Sequence, residues 1–261
     1  LSIMCNLTEV SVYSVYNLVV KGIKQFAQIF STGIDASFGD MIAKNEKENL
    51  CKKFNTYEVL YFTIITILFT CTMILIVPFV SVYTKNITDA NYIRHLFGYL
   101  IVISEYVWAI RLPYSSLILS AGHFKETRIG AWVECLTNII LSIILVFNYG
   151  IIGVTIGTIV AMTIRTSEFI YHANKHILNR NINISIKKIA LILIETIIIV
   201  FISNYLPYLD NTNYINWILN AVMTIILASA ICIPINFILY KNEFKELINT
   251  FKKIIKRKKY E

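Results

Sequence analysis

The chain has 261 residues, 56% of them hydrophobic and only 15% charged, with a formal net charge of +8. A mean hydropathy of +0.63 excludes an ordinary soluble domain of this length. The positive balance does not describe a nucleic-acid-binding face, because the basic residues are spread through short loops and a KKIIKRKK tail.

A helix needs about 20 mostly apolar residues to cross a bilayer, and about seven such stretches follow one another in an all-α, polytopic membrane helix bundle. The chain begins at Leu1 rather than Met and reads as the C-terminal part of something longer, with Leu1 to Leu7 as the end of a preceding span. The first whole span, 10–38, is unusually polar. The second, 57–82, has no charge after Glu58, and the third covers 95–121. The fourth and fifth, 129–147 and 150–171, share an apolar run too long for one helix, with Asn148-Tyr149-Gly150 as the turn between them. The sixth and seventh cover 189–206 and 214–240.

Lys and Arg set the orientation. Of 24, 18 lie at 44–53, 125–128, 175–188 and in the tail from Lys241 to Lys259, whereas only Lys85 and Arg94 fall in the opposite loops. The positive-inside rule places the rich side, tail included, in the cytoplasm. The remaining four, Lys21, Lys24, Arg111 and Arg165, fall within spans, where an ionisable group is costly and marks function.

On the first span, Ser14, Asn17, Lys21, Lys24, Gln25, Gln28, Thr32 and Asp35 share a stripe roughly 100° wide. Val12, Val15, Val19, Ile23, Phe26 and Phe30 occupy the other face. Such a helix lines a water-filled cavity or a polar bundle interior, with Asn17, Gln25 and Gln28 as lining residues. An interfacial helix lying flat is the alternative, but the sidedness of the later spans requires a crossing here.

Arg111 lies near the middle of the third span, and Pro113, two residues on, predicts a break or kink in that helix. Broken helices beside a midplane charge are typical of transporter binding sites. The plainer reading pairs Arg111 with Glu105 or Glu134. The acids Asp35, Glu105, Glu134 and Glu195 are candidates for carrying a coupling ion or for charge pairing, and Arg165 and Glu168 are three apart on one helix face.

His172 and His176 are four apart, a spacing a metal tolerates, but the residues between them lack the zinc-protease Glu and no metal site is predicted. Gly153 and Gly157 form a small-xxx-small face for close helix packing rather than a phosphate loop. Cys5, Cys51, Cys71, Cys135 and Cys232 show no paired spacing and read as small hydrophobes. Nothing calls for a cofactor, and the loops are too short for an enzymatic domain.

The runs VSVYSVYNLVVKGI (10–23), DASFGD (35–40), RLPYSSLILSAGHFKETRIGAWVE (111–134) and NYGIIGVTIGT (148–158) resemble the Wzx-type polysaccharide flippases of the multidrug/oligosaccharidyl-lipid/polysaccharide exporter superfamily. The likeness extends from Leu1 to about Tyr171. It implies a two-lobed, alternating-access carrier in the bacterial inner membrane that exports undecaprenyl-diphosphate-linked oligosaccharide for surface polysaccharide such as O-antigen of lipopolysaccharide. Residues 1–172 would be its second lobe, and 173–261 two appended helices and a basic cytoplasmic tail. The implied partners are the lipid-linked substrate, the bilayer, a first lobe preceding this segment, and polysaccharide polymerase and chain-length machinery. A cationic cavity of Lys21, Lys24, Arg111 and Arg165 suits an anionic diphosphate. A lipid II flippase or multidrug exporter of the same superfamily is the alternative, and a membrane polysaccharide polymerase a more distant one.

Overall fold

The computed structural model describes residues 6–211 and 213–258. The expected span end at Leu1–Leu7 falls mostly outside them, and Leu7 itself opens the first helix. The described residues form eight α-helices and no strand: α1 (Leu7–Ile29), α2 (Ile34–Ala43), α3 (Lys47–Tyr83), α4 (His95–Ser120), α5 (Arg128–His172), α6 (Asn183–Ser203), α7 (Tyr214–Leu239) and α8 (Lys241–Lys258). A π-helical turn, Ala173–Ile177, continues α5.

Four segments are long and apolar enough to cross a membrane: Lys47–Tyr83, His95–Ser120, Arg128–Ile177 and Tyr214–Leu239. The third of these holds two of the expected spans back to back. Gly150, at φ 55° and ψ −133°, reverses the chain there, a conformation open to glycine. The arms on either side then pack closely, because a Cβ on Gly153 would sit 2.3 Å from the Leu145 carbonyl oxygen. α1 and α6, with 23 and 21 residues, complete the set of seven; α1 carries Lys21 and Lys24, and α6 carries Lys187, Lys188 and Glu195. Trp132, Phe147, Ile197 and Ile226 point outward from α5, α6 and α7, each more than half exposed, a surface that suits lipid and not water.

Two expectations fail in the first half. The predicted 10–38 span is not one helix: it ends at Ile29, turns through Gly33 at φ 94°, and resumes as α2. Thr32 Oγ1 bonds the Ile29 carbonyl at 3.0 Å and Ser31 turns inward to Ser116 at 2.9 Å, so local side chains compete with the helix and glycine permits the bend. Pro113, in contrast, does not break α4, which runs uninterrupted from His95 to Ser120. The lost N–H removes one bond from a helix whose Pro113 is buried among neighbours, and bundles tolerate that.

α3 is the central element, contacted by α1, α2 and α4 and by α6 and α7. Aromatic rings dominate its core contacts: Phe69 stacks on Tyr106 of α4 at 5.3 Å, and Phe54 and Phe62 flank Tyr114. A second apolar cluster, Cys71, Leu75, Ile199, Ala228 and Cys232, joins α3 to α6 and α7. Between these helices lies a fully buried carboxylate. Glu58 Oε2 meets Lys188 Nζ at 2.6 Å and Arg180 Nη2 at 3.0 Å, while Tyr114 donates to Oε1 at 2.5 Å. The basic tail is in part helical: α8 docks on α3 through Glu246, which contacts Thr56 at 2.9 Å and Lys53 at 3.2 Å. Lys259 lies outside the described residues.

Candidate functional site

The polar stripe of α1 stays open. Ser14, Lys21, Gln25 and Gln28 are exposed and Asn17 half-buried, while Val12, Tyr16, Val20 and Ala27 turn into the core. The apolar face therefore sits slightly off the expected one, and Phe26 and Phe30 remain exposed, edge to face at 5.7 Å. Tyr16 fixes the rotation of the helix by donating to the Tyr92 carbonyl at 3.0 Å and accepting from the Arg94 amide at 3.0 Å.

The four predicted cations do not converge on one pocket. Three of them fall into two clusters, each containing acids, and Lys21 stands apart. In the first, Lys24 Nζ lies 2.9 Å from Glu105 Oε2 of α4 and 4.1 Å from the Trp108 ring centroid. The carboxylate oxygen has no hydrogen-bond partner, so the contact is ionic and cation–π without hydrogen-bond geometry. In the second, Arg111 Nη1 donates to Glu134 Oε1 on the first arm of α5 at 2.8 Å. Arg165, on the second arm, reaches Glu134 Oε2 at 3.7 Å, Glu168 at 2.6 Å and the Thr127 carbonyl at 2.5 Å. Phe169 lies under Arg165 at 4.2 Å. Gly130 makes room for Glu168, since a Cβ there would fall 1.6 Å from its Oε2.

Three of the four cations are thus paired: Arg111 and Arg165 with acids that the plainer sequence reading offered them, and Lys24 with one that it did not. Two Arg and two Glu balance in the second cluster, and Lys24 balances Glu105 in the first. Among the described residues Lys21 forms no ion pair, and it is exposed, so it supplies the net positive charge of this face. Asp35 does not join either cluster: the bend at Gly33 carries it onto α2, where its side chain is exposed and its carbonyl accepts from Ser120 at 2.9 Å.

An apolar groove of ≈ 500 Å³ runs beside α1. Leu18 and Gly22 of α1, Cys71 and Leu75 of α3, and Trp217 and Ala221 of α7 line it. Trp217 Nε1 bonds the Leu75 carbonyl at 3.3 Å and holds α7 against α3 at this point. The groove went unseen in the sequence, because its walls come from three helices far apart in the chain.

At the far end of α5, His172 meets His123: His123 Nδ1 and His172 Nε2 are 2.9 Å apart, with the His176 ring tilted against His172 at 4.8 Å. Among the described residues no group of three His, Cys, Asp or Glu is placed to hold a metal ion.

Neither a family model nor a curated protein matches the chain. A solved structure does: the lipid II flippase MurJ in an inward closed conformation, at 17% identity and a TM-score of 0.58, over 92% of this chain and 52% of that one. The chain shares its fold with a flippase. It spans about half the length of that structure, and at this identity the likeness concerns the fold alone.

Proposed function

We propose that the protein is a flippase of the multidrug/oligosaccharidyl-lipid/polysaccharide exporter superfamily that carries an undecaprenyl-diphosphate-linked oligosaccharide across the inner membrane. Residues 1–172 serve as one lobe of a two-lobed carrier, and 173–261 as two appended helices with a cytoplasmic C-terminal segment. The observation that carries the reading is the juxtaposition on α1 of a cation with an apolar groove. Lys21 is exposed and unpaired among the described residues, and the adjacent Leu18 and Gly22 line the groove. An amphiphile with a charged head and a lipid chain fits that pair of features. The diphosphate is bound by Lys21 first, and Lys24, Arg111 and Arg165 exchange their acids for it as the carrier cycles. The Glu105 and Glu134 carboxylates hold those cations in place when cargo is absent. No covalent chemistry is required of any side chain.

A second reading, lipid II as the cargo, is favoured by the fold shared with MurJ. The test is complementation with the complete gene product in two strains, one lacking its polysaccharide flippase and one depleted of its lipid II flippase. Surface glycan restored in the first supports the proposal. Growth restored in the second alone assigns the protein to lipid II. Rescue of neither, with the protein inserted, rejects both cargoes.

A further inference from the structure

Glu195, midway along α6, differs from the paired acids of the bundle in having no cation. Its side chain is fully buried and, among the described residues, forms no ion pair, whereas Glu58, Glu105 and Glu134 each do. Oε1 accepts a 2.7 Å bond from Asn236 Nδ2 of α7, and Oε2 has no hydrogen-bond partner. The groups facing the carboxyl are uncharged: the Cys232 thiol of α7, which is within hydrogen-bonding reach of it, Tyr240 just past the end of α7, and Tyr106 of α4. Neighbouring Thr196 donates to the Ile192 carbonyl at 2.8 Å and accepts from Thr70 at 3.2 Å, so it offers the carboxyl nothing. Lys188, two turns earlier on α6, is committed to Glu58 at 2.6 Å, beside Arg180 and facing Glu243.

A bare carboxylate in such a place costs several kcal/mol, and either a metal cation or a proton can remove that cost. A cation needs several oxygen ligands. Asn236 instead presents its NH₂ group, whose orientation is fixed because Nδ2 also donates to the Cys232 carbonyl at 2.9 Å. A proton needs only one free oxygen, and Oε2 is free. We infer that Glu195 is a proton-binding site, occupied in this conformation through Oε2.

The site lies behind the groove. Cys232, beside the carboxyl, packs in one cluster with Cys71 and Leu75, which form the groove wall. Loss of the proton strands a charge in that seam and favours any conformation in which α6 and α7 part and admit water. Proton occupancy is thereby linked to groove shape, whatever the cargo.

The test is infrared spectroscopy of the protein in lipid nanodiscs at neutral pH, in light and heavy water. A protonated-carboxyl C=O band that shifts in heavy water is expected in the wild type, absent from Glu195→Gln and retained in Glu105→Gln and Glu134→Gln. No such band, or its survival in Glu195→Gln, overturns the proposal. Gln reproduces the shape of a neutral carboxyl, so that variant is expected to fold. Its failure to do so where Glu195→Asp folds shows a need for negative charge and overturns the proposal equally.

Discussion

Lys188 Nζ lies 2.6 Å from Glu58 Oε2, and this contact fastens α6 to α3 inside the bundle. Arg180 shares the carboxylate through Nη2, at 3.1 and 3.0 Å from its two oxygens, and also bonds Asn55. One acid is therefore shared by two buried cations, and the cluster keeps one positive charge in excess. Removing the acid strands both, whereas removing Lys188 leaves Arg180 to balance Glu58. Glu58→Gln is expected to cost about 3–5 kcal/mol, the range for breaking a buried pair from one side. Lys188→Met is expected to cost clearly less, and the double variant to recover part of the Glu58→Gln loss. Unfolding in detergent followed by circular dichroism measures all three, and equal, additive losses reject the shared-carboxylate account.

The two kinds of cation on the α1–α4–α5 face should separate when mutated. Lys21 has no ion pair among the described residues, so Lys21→Ala is expected to leave stability within about 0.5 kcal/mol of wild type. Under the proposed function the same variant loses surface glycan. Arg111→Ala loses glycan too but also leaves Glu134 only its longer, 3.7 Å contact with Arg165, at a cost of about 1–3 kcal/mol. The exchange Arg111→Glu with Glu134→Arg restores stability without restoring export. Restored export in the exchanged protein reduces Arg111 to a structural tie.

How much of this was visible in the sequence depended on how local the cause was. Hydropathy and Gly150 sufficed for the spans and for the reversal inside α5, because a glycine at positive φ and an apolar run are local facts. Arg165–Glu168 and Arg111–Glu134 were foreseen as pairs, the first from helical spacing and the second as one of two options. Lys24–Glu105 was not, since nothing local relates α1 to α4. The 10–38 span was misjudged because periodicity persists through 30–33, where only the Ser31, Thr32 and Gly33 chemistry argues against a helix. At Pro113 the local rule predicts a break or a kink, and with the proline buried among its neighbours α4 runs on unbroken. Glu58 stands in the sequence only as the edge of an apolar run, because its two cationic partners sit more than 120 residues away.

The hairpin inside α5 depends on the absence of side chains at two places. A Cβ on Gly153 would lie 2.3 Å from the Leu145 carbonyl oxygen, and one on Gly157 would lie 2.9 Å from the Ser142 amide nitrogen. Both obstacles are backbone and cannot rotate away. Gly153→Ala is expected to push the arms apart and cost about 1–3 kcal/mol. Gly39→Ala is the control: it meets nothing within 4 Å inside α2, so it should be neutral or stabilising by about 0.5–1 kcal/mol. Cysteine pairs across the arms, crosslinked before and after the change, read out the separation directly.

The α8 attachment should depend on pH in one direction. Burial alone would raise Glu246, but the Thr56 hydroxyl and the Lys53 ammonium outweigh it and hold its carboxyl below the usual range. A depressed folded-state value means that the docking contributes fully above the unfolded carboxyl's titration, about pH 4.3, and is lost as pH falls through the folded value. Proteolysis of the C-terminal segment in nanodiscs should therefore be slow at neutral pH and accelerate only below about pH 4. Glu246→Gln, which keeps a hydrogen bond to Thr56 but loses the ion pair with Lys53, should be cut faster at neutral pH and show little further change on acidification. Cleavage that accelerates equally in wild type and variant would assign the pH response to other groups and leave Glu246 as a passive contact.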